Sequence, residues 1–179
     1  EATYNKNKNI LNAKGNVEII DSNNSITVYS NNTTYYKNEE KVVTKGETNS
    51  IIKSKYNFDS SDIIFLVAKR ELSSEKKSVI KDDQSNVYYL DKFFYSINDK
   101  KLKGNNIIYI SNFNLPESDK FYFSNGIIDL ENNNFIAKDT KAKIHKNVFG
   151  DNDNDPRLKG VSSRKDDNII TINKGVFTS

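Results

Sequence analysis

An acidic run near the C-terminal end is the stretch whose residue types and spacing most resemble a metal site. Asp151, Asp153 and Asp155 alternate with asparagines, and carboxylates at alternate positions begin the calcium loop of an EF-hand. That loop also requires a glycine at its sixth position and a bidentate glutamate at its twelfth, where this chain has Pro156 and Ser162. The sequence therefore predicts no dedicated metal site, and incidental weak cation binding by the three aspartates is the alternative that stays open.

Residues that could perform catalysis are equally sparse. His145 is the only histidine and cysteine is absent, so a zinc site would lack its usual ligands; the alternation in KAKIHKNVF places His145 on a surface strand. Asp82-Asp83 and Asp166-Asp167 lie in polar turns, where we expect solvated carboxylates, although two carboxylates converging in space could act as a glycosidase pair. No nucleophile elbow, dinucleotide fingerprint or phosphate loop occurs. We predict a protein that is not an enzyme, with no catalytic residue and no cofactor.

The composition predicts one folded domain with a polar surface. The chain has 179 residues, of which 35% are hydrophobic, and these are spread along its whole length. The net charge is +3, and the lysines are scattered among aspartates and asparagines, so we expect no nucleic-acid partner. The longest apolar run, IIFLVA at 63–68, is too short for a transmembrane helix.

Period-two alternation of apolar and polar residues dominates the chain and predicts β-strands. Turn-forming clusters such as DSNN, YKNEE and ENNN separate the alternating runs. Many short strands at near-regular spacing predict an all-β antiparallel architecture. The residues predicted to share one face of their strand are Leu11, Ala13, Val17 and Ile19; Ile26 and Val28; and Val42, Thr44 and Thr48.

The segment 63–68 is the one place where a helix competes with a strand. Ser61 or Asp62 could cap a helix that begins there, whereas the apolar run itself is equally typical of a buried strand. Its β-branched residues and its all-β surroundings favour the strand.

An internal echo at an offset of 31 residues indicates repeated hairpin units. Tyr4 matches Tyr35, and Lys14-Gly15 matches Lys45-Gly46, with looser echoes in KKLKGNNII and NNFIAKDTK. Repeats of this kind stack similar units and bury a shared face, and their glycines are candidates for bulges or sharp bends. Chance matching in a sequence rich in Lys and Asn is the competing explanation.

Two parts of the chain carry motifs found in a known family. The run ILNAKGNVEII, followed by SITVYSNNTTYY and KVVTKG, resembles the recurrent strand pair of OstA-type domains in lipopolysaccharide transport proteins of Gram-negative bacteria. The C-terminal segments NDPRLKGVSS and TINKGVFTS resemble more specifically the junction between the periplasmic domain and the outer-membrane barrel in the LptD, or organic solvent tolerance, family. That second likeness is carried by Asp155, Pro156, Arg157, Leu158, Gly160, Ser162, Asn173, Gly175, Phe177, Thr178 and Ser179. The middle, about 50–120, is similar only in its β character.

The resemblance implies a fold, a ligand and partners. The fold would be a folded-over antiparallel β-jellyroll over residues 1–149, with an open apolar groove that shields the lipid A acyl chains of lipopolysaccharide in the periplasm. Residues 150–179 would form a junction that leads to an outer-membrane β-barrel. Lipopolysaccharide would arrive from an LptA-like bridge protein by strand pairing, and would pass to the family's own barrel with its LptE-like lipoprotein.

This interpretation gives the alternating apolar residues a role. The candidates for the groove are Leu11, Ala13, Val17, Ile19, Ile26, Val28, Val42, Ile128 and Leu130. The candidates for the partner-facing edge are Tyr4, Lys6, Lys8 and Ile10. Lys6 and Lys8 are equally explained as charges that protect an edge strand from aggregation.

Two other interpretations stay open. A bridge or inner-membrane-side protein of LptA or LptC type would share the repeat, although the C-terminal motif argues against it. A carbohydrate-binding or adhesin β-domain would need an exposed aromatic platform. The residues that could supply such a platform are Tyr88, Tyr89, Phe93, Phe94 and Tyr95.

Overall fold

In the residues that the structure describes, the chain is built from β-strands, with a turn of 3₁₀ helix at Lys37–Glu39. A computed structural model describes residues 1–113, 115–146 and 156–178. The strands in these residues are β1 (Ala2–Asn5), β2 (Ile10–Asp21), β3 (Ile26–Tyr36), β4 (Lys41–Thr44), β5 (Glu47–Ile52), β6 (Tyr56–Ser61), β7 (Ile64–Leu66), β8 (Glu71–Ser74), β9 (Ser78–Lys81), β10 (Val87–Leu90), β11 (Lys92–Ser96), β12 (Lys101–Ile110), β13 (Lys120–Asp129), β14 (Asn134–Lys143), β15 (Arg157–Asp166), β16 (Ile169–Asn173) and β17 (Val176–Thr178).

The strands form one continuous antiparallel sheet that folds over into two facing sheets. The long strands β2, β3 and β12–β15 run through both sheets, and β3, for example, pairs with β5 through 26–30 and with β4 through 33–36. Between them the short strands alternate. The first sheet contains β1, β4, β7, β8, β11 and β16, and the second contains β5, β6, β9, β10 and β17.

The crease between the two sheets is made by residues with left-handed backbone conformations. Gly15 and Gly46 have φ of 79° and 83°, which glycine adopts without the cost that a Cβ would impose. The other crease positions with positive φ are Asn16, Asp62, Asn106 and Asp139, and Asn and Asp tolerate this region best among non-glycine residues. The echo at an offset of 31 is therefore structural, because Gly15 and Gly46 bend equivalent parts of successive hairpin units.

The core lies between the two sheets and is rich in aromatic rings. Phe58 of the second sheet packs on Phe93 and Tyr95 of the first, with ring centroids 5.3 and 5.1 Å apart. Further along the roll, Phe121 of the second sheet lies 5.7 Å from Phe135 of the first. Such pairs add about 0.5–1.5 kcal/mol each beyond the burial of their area.

Hydrogen bonds tie the two sheets together on the side opposite the crease. The Tyr56 hydroxyl donates to the Leu130 carbonyl at 3.3 Å. The Tyr88 hydroxyl lies 3.1 Å from Asp82 Oδ2 of its own sheet and 3.3 Å from Asn133 Oδ1 of the facing sheet, and either oxygen can accept its proton. Burial raises the pKa of Tyr56 to about 12 and that of Tyr88 well above its usual value, so both hydroxyls keep their protons at neutral pH. The middle of the roll is therefore closed on this side.

The all-β, folded-over antiparallel jellyroll predicted from the sequence is confirmed. The strand expected within 63–68 is also confirmed, because β7 runs from Ile64 to Leu66 and pairs with β4 and β8. The expected boundary at 149/150 lies outside the described residues. Beyond it, β15 pairs with β14 and continues the same sheet.

Candidate functional site

The inner face of the first sheet carries an unbroken row of directly opposed residues from one end of the roll to the other. Nine of the eleven strand-to-strand steps join two apolar or aromatic residues, and the row meets a charge only near its C-terminal end, at Lys165. In order, the row is Tyr4, Leu11, Tyr35, Val42, Phe65, Leu72, Tyr95, Leu102, Ile128, Phe135, Lys165 and Ile170.

The inner face of the second sheet carries a matching row. It begins on β2 and ends on β17, and Ser50 is its one polar member besides the tyrosines. In order, the row is Ile19, Val28, Ser50, Phe58, Ile80, Tyr88, Tyr109, Phe121, Ala142, Leu158 and Phe177. The two rows face each other and form the lining of the roll.

The two rows are buried in the middle of the roll and exposed at its ends. Phe58, Phe65 and Leu72 are at most 1% exposed. At the N-terminal end, Tyr4 is 49% and Leu11 38% exposed, although both side chains face inward. This end, together with Ala13, Val17 and Ile19 on the same face of β2, is called the N-terminal mouth below.

The C-terminal mouth is the corresponding opening at the other end. Ile170 is 37% and Phe177 52% exposed, and a cavity of about 340 Å³ lies beside Ile170. Its lining includes Tyr109, Phe121, Asp119, Lys165 and Asn168. Burial lowers the pKa of Lys165, while the nearby Asp119 acts in the opposite direction. The cavity is therefore lined mainly by polar side chains, with Tyr109, Phe121 and Ile170 as its aromatic and apolar members and Lys165 as a half-buried cation.

Both mouths coincide with strand edges. At the N-terminal end, β1 pairs only with β2, and the Val17–Asp21 part of β2 pairs only with β3. At the C-terminal end, β16 and β17 pair only with β15. Among the described residues no strand covers these edges, whose backbone groups can accept another strand.

The predicted groove residues share the inner face but not the same degree of exposure. Leu11, Ala13, Val17 and Ile19 come together at the N-terminal mouth. Ile26, Val28 and Val42 lie behind them and are buried. Ile128 and Leu130 are buried in a different part of the roll, where the Leu130 carbonyl meets Tyr56.

The predicted partner edge is rearranged by a hairpin. Tyr4 lies on the edge strand β1, whereas Lys6 and Lys8 lie in the β1–β2 turn. Ile10 is not at an edge, because it pairs with Asn5 of β1 on one side and with Tyr36 of β3 on the other. The turn forms because the Lys8 N–H donates to Asn5 Oδ1 at 3.0 Å and the Tyr4 hydroxyl donates to Asn9 Oδ1 at 2.7 Å. Sequence reasoning missed this reversal, and also the C-terminal mouth.

The residues considered for catalysis have structural roles where they are described. His145 is half-buried just beyond β14, not on a surface strand as predicted, and its backbone N–H donates to Asp119 Oδ1 at 2.8 Å. Asp82 is half-buried and not fully solvated as predicted, and it accepts from Tyr88 and from the backbone N–H of Asn86 at 2.9 Å. Asp83 lies 3.6 Å from the Lys55 ammonium.

The metal chemistry considered above finds no counterpart in the described part of the chain. There, no three His, Cys, Asp or Glu side chains come together as a metal site. Asp151, Asp153 and Asp155 lie outside the described residues.

The aromatic residues considered for a carbohydrate-binding platform point to opposite faces of their strands. Tyr88, Phe93 and Tyr95 are buried in the core. Tyr89 lies on the outer face of the second sheet and Phe94 on that of the first. These five residues therefore do not form one platform.

Comparisons with known proteins leave the chain without an assigned family. No known family model matches it, and no curated protein matches its sequence. Within the ranges that the structure describes, none of the helical segments is of the length and apolarity that crossing a membrane demands.

Proposed function

We propose that this chain is a non-enzymatic periplasmic domain that binds lipopolysaccharide through its acyl chains and passes it on. The single observation that carries the proposal is the pair of inner rows, which end exposed at both mouths. Covering apolar side chains with acyl chains is favourable by about 0.8 kcal/mol for each CH₂ removed from water. A mouth that covers a few chain carbons could therefore compete with a micelle.

The strand edges support transfer between neighbouring proteins. A second jellyroll that adds its edge strand to β1 and β2 would continue both rows into its own interior, since strand addition preserves the inward and outward alternation. An LptA-like bridge protein fits the N-terminal edge in this proposal. The outer-membrane barrel and its LptE-like lipoprotein would receive the lipid from the other end.

The filled middle of the roll supports the mouths as the binding sites in this proposal. Phe58, Phe65 and Leu72 occupy the interior there, and the Tyr56 and Tyr88 hydrogen bonds close the side opposite the crease. Acyl chains therefore bind first at the mouths. Passage along the roll requires the two sheets to part on the side that these hydrogen bonds hold.

A tryptophan reporter tests binding at the N-terminal mouth, because the chain has no Trp of its own. In the Leu11→Trp variant, lipopolysaccharide should shift the emission to the blue as acyl chains cover the indole. Asn12→Trp, one residue along and on the opposite face of β2, is the matched control and should not shift. Equal shifts at both positions, or none at Leu11→Trp, would contradict the proposal.

A further inference from the structure

The outer face of the second sheet carries a dense cluster of cations at its C-terminal end. Lys120, Lys143 and Arg157 are directly opposed on β13, β14 and β15, and Lys141 opposes Lys159 in the adjacent row. All five side chains are exposed, and within the described residues none forms an ion pair. We call these five residues the basic face.

The like charges of the basic face lower the stability of the pairing between its three strands, and an anionic partner would relieve their repulsion. Like charges directly opposite each other on neighbouring strands destabilise a sheet. Given the spacing of strands and of alternate residues, the five charges occupy about 10 Å by about 7 Å. The acidic residue nearest in sequence to Lys120 does not relieve this, because Asp119 directs its carboxylate to the backbone N–H of His145.

Acidic side chains of the same outer face lie at its opposite end. Glu18 opposes Tyr29 on the strands next to the N-terminal mouth, and Asp59 opposes Asn49. Among the described residues, these two carboxylates lie at the end of this face away from the five cations, and Lys77 lines the same pocket beside them. A flat, planar anionic partner is complementary to the basic end alone.

Exposed apolar side chains lie in the loop that leads into the basic face. The loop between β12 and β13 ends at Lys120 and presents Phe113 and Leu115, which are 44% and 57% exposed. The Phe113 N–H donates to the Ser85 carbonyl at 2.8 Å, which anchors the loop to the turn before β10. A soluble polyanion would gain nothing from these two side chains, whereas a lipid surface offers both charge and an apolar layer.

We propose that the basic face docks this domain onto an anionic lipid surface, with Phe113 and Leu115 entering the headgroup region. Each Lys or Arg near such a surface strengthens binding by about fivefold. The face points away from the interior of the roll, so this docking is separate from the proposed binding of acyl chains at the mouths. It would hold the domain beside a membrane whose lipids carry negative charge.

Co-sedimentation of the full chain with vesicles tests the docking. Vesicles that contain phosphatidylglycerol should bind the chain, and vesicles of pure phosphatidylcholine should not. The triple variant K120Q/K143Q/R157Q should bind on the order of 100-fold more weakly. Its matched control, K45Q/K53Q/K69Q, loses the same charge from three separate turns and should bind far better than the triple variant.

A single tryptophan reports how the loop engages. Phe113→Trp should shift its emission to the blue with phosphatidylglycerol vesicles, whereas Tyr29→Trp, near the acidic end of the same face, should not. Retained vesicle binding by K120Q/K143Q/R157Q would overturn the proposal. So would equal binding to both kinds of vesicle, or binding of heparin in solution without binding to phosphatidylglycerol vesicles. Because the vesicle pair differs only in headgroup charge, the difference in binding between the two vesicles reports on the basic face and not on acyl-chain binding at the mouths.

Discussion

Replacing Leu11 by serine tests whether the N-terminal mouth contributes to lipid binding. Leu11 is 38% exposed, and full burial of a leucine side chain is worth about 1.5–3 kcal/mol. A ligand that covers the exposed part would gain about 0.6–1.1 kcal/mol from it, so Leu11→Ser should weaken binding about three- to sevenfold. The part already buried makes the variant less stable by about 1–2 kcal/mol.

The assay is a titration of lipopolysaccharide against the folded variant, with its stability measured separately by denaturant unfolding. Ile20→Ser is the matched control, because Ile20 lies on the same strand but faces outward and is 65% exposed. Ile20→Ser should leave the affinity unchanged. Equal weakening by the two variants would refute the argument that the inner face of β2 binds the lipid.

Three further predictions separate stability from binding. Phe58→Ala should cost about 3–5 kcal/mol of stability, measured by denaturant unfolding, yet leave lipid capture at Leu11 intact in the folded fraction. Lys165→Met should stabilise the chain most at neutral pH, where the buried lysine is charged in the parent. Burial lowers the pKa of Lys165 below the usual 10.5, so the parent becomes more stable as the pH rises toward 10.5. The stability difference between the variant and the parent should therefore shrink over the same range. Unfolding at about pH 7 and about pH 10 checks this sign, and a constant difference would contradict it. Gly104→Ala should cost about 1–3 kcal/mol in the same unfolding assay, since its Cβ would overlap Leu90 Cδ2; an unchanged midpoint would show that Leu90 yields freely.

The sequence predicts the strands and much of their facing, for a simple physical reason. In a sheet with one buried face, alternate residues must be apolar, so the alternation by itself puts Leu11, Val17 and Ile19 on the inner side. The positive φ of Gly15 and Gly46 likewise follows from glycine's lack of a Cβ.

The sequence could not reveal how single strands divide between two sheets. Along β3 the inward residues change from even to odd positions, with Val28 and Thr33 both buried, because the strand crosses the crease between them. No local signal marks that crossing. Alternation alone therefore left the exposure of Ile128 undecided, and the structure places it in the core.

The basic face escaped sequence reasoning because it depends on long-range pairing. The alternating cations of KAK at 141–143 and RLK at 157–159 are visible in the sequence. Their juxtaposition with Lys120 requires the register of β13 on β14 and of β14 on β15. Scattered lysines in the sequence thus become one patch in the fold.

Site-specific photo-crosslinking tests the central claim most directly. A photoreactive residue at Leu11 or Ile170, each inward-facing at one mouth, should capture lipopolysaccharide on illumination. The same residue at Asn12 or Thr171, the outward-facing neighbours on β2 and β16, should capture little. Equal capture at all four positions, or capture at the outward pair alone, would contradict a lipid-binding interior.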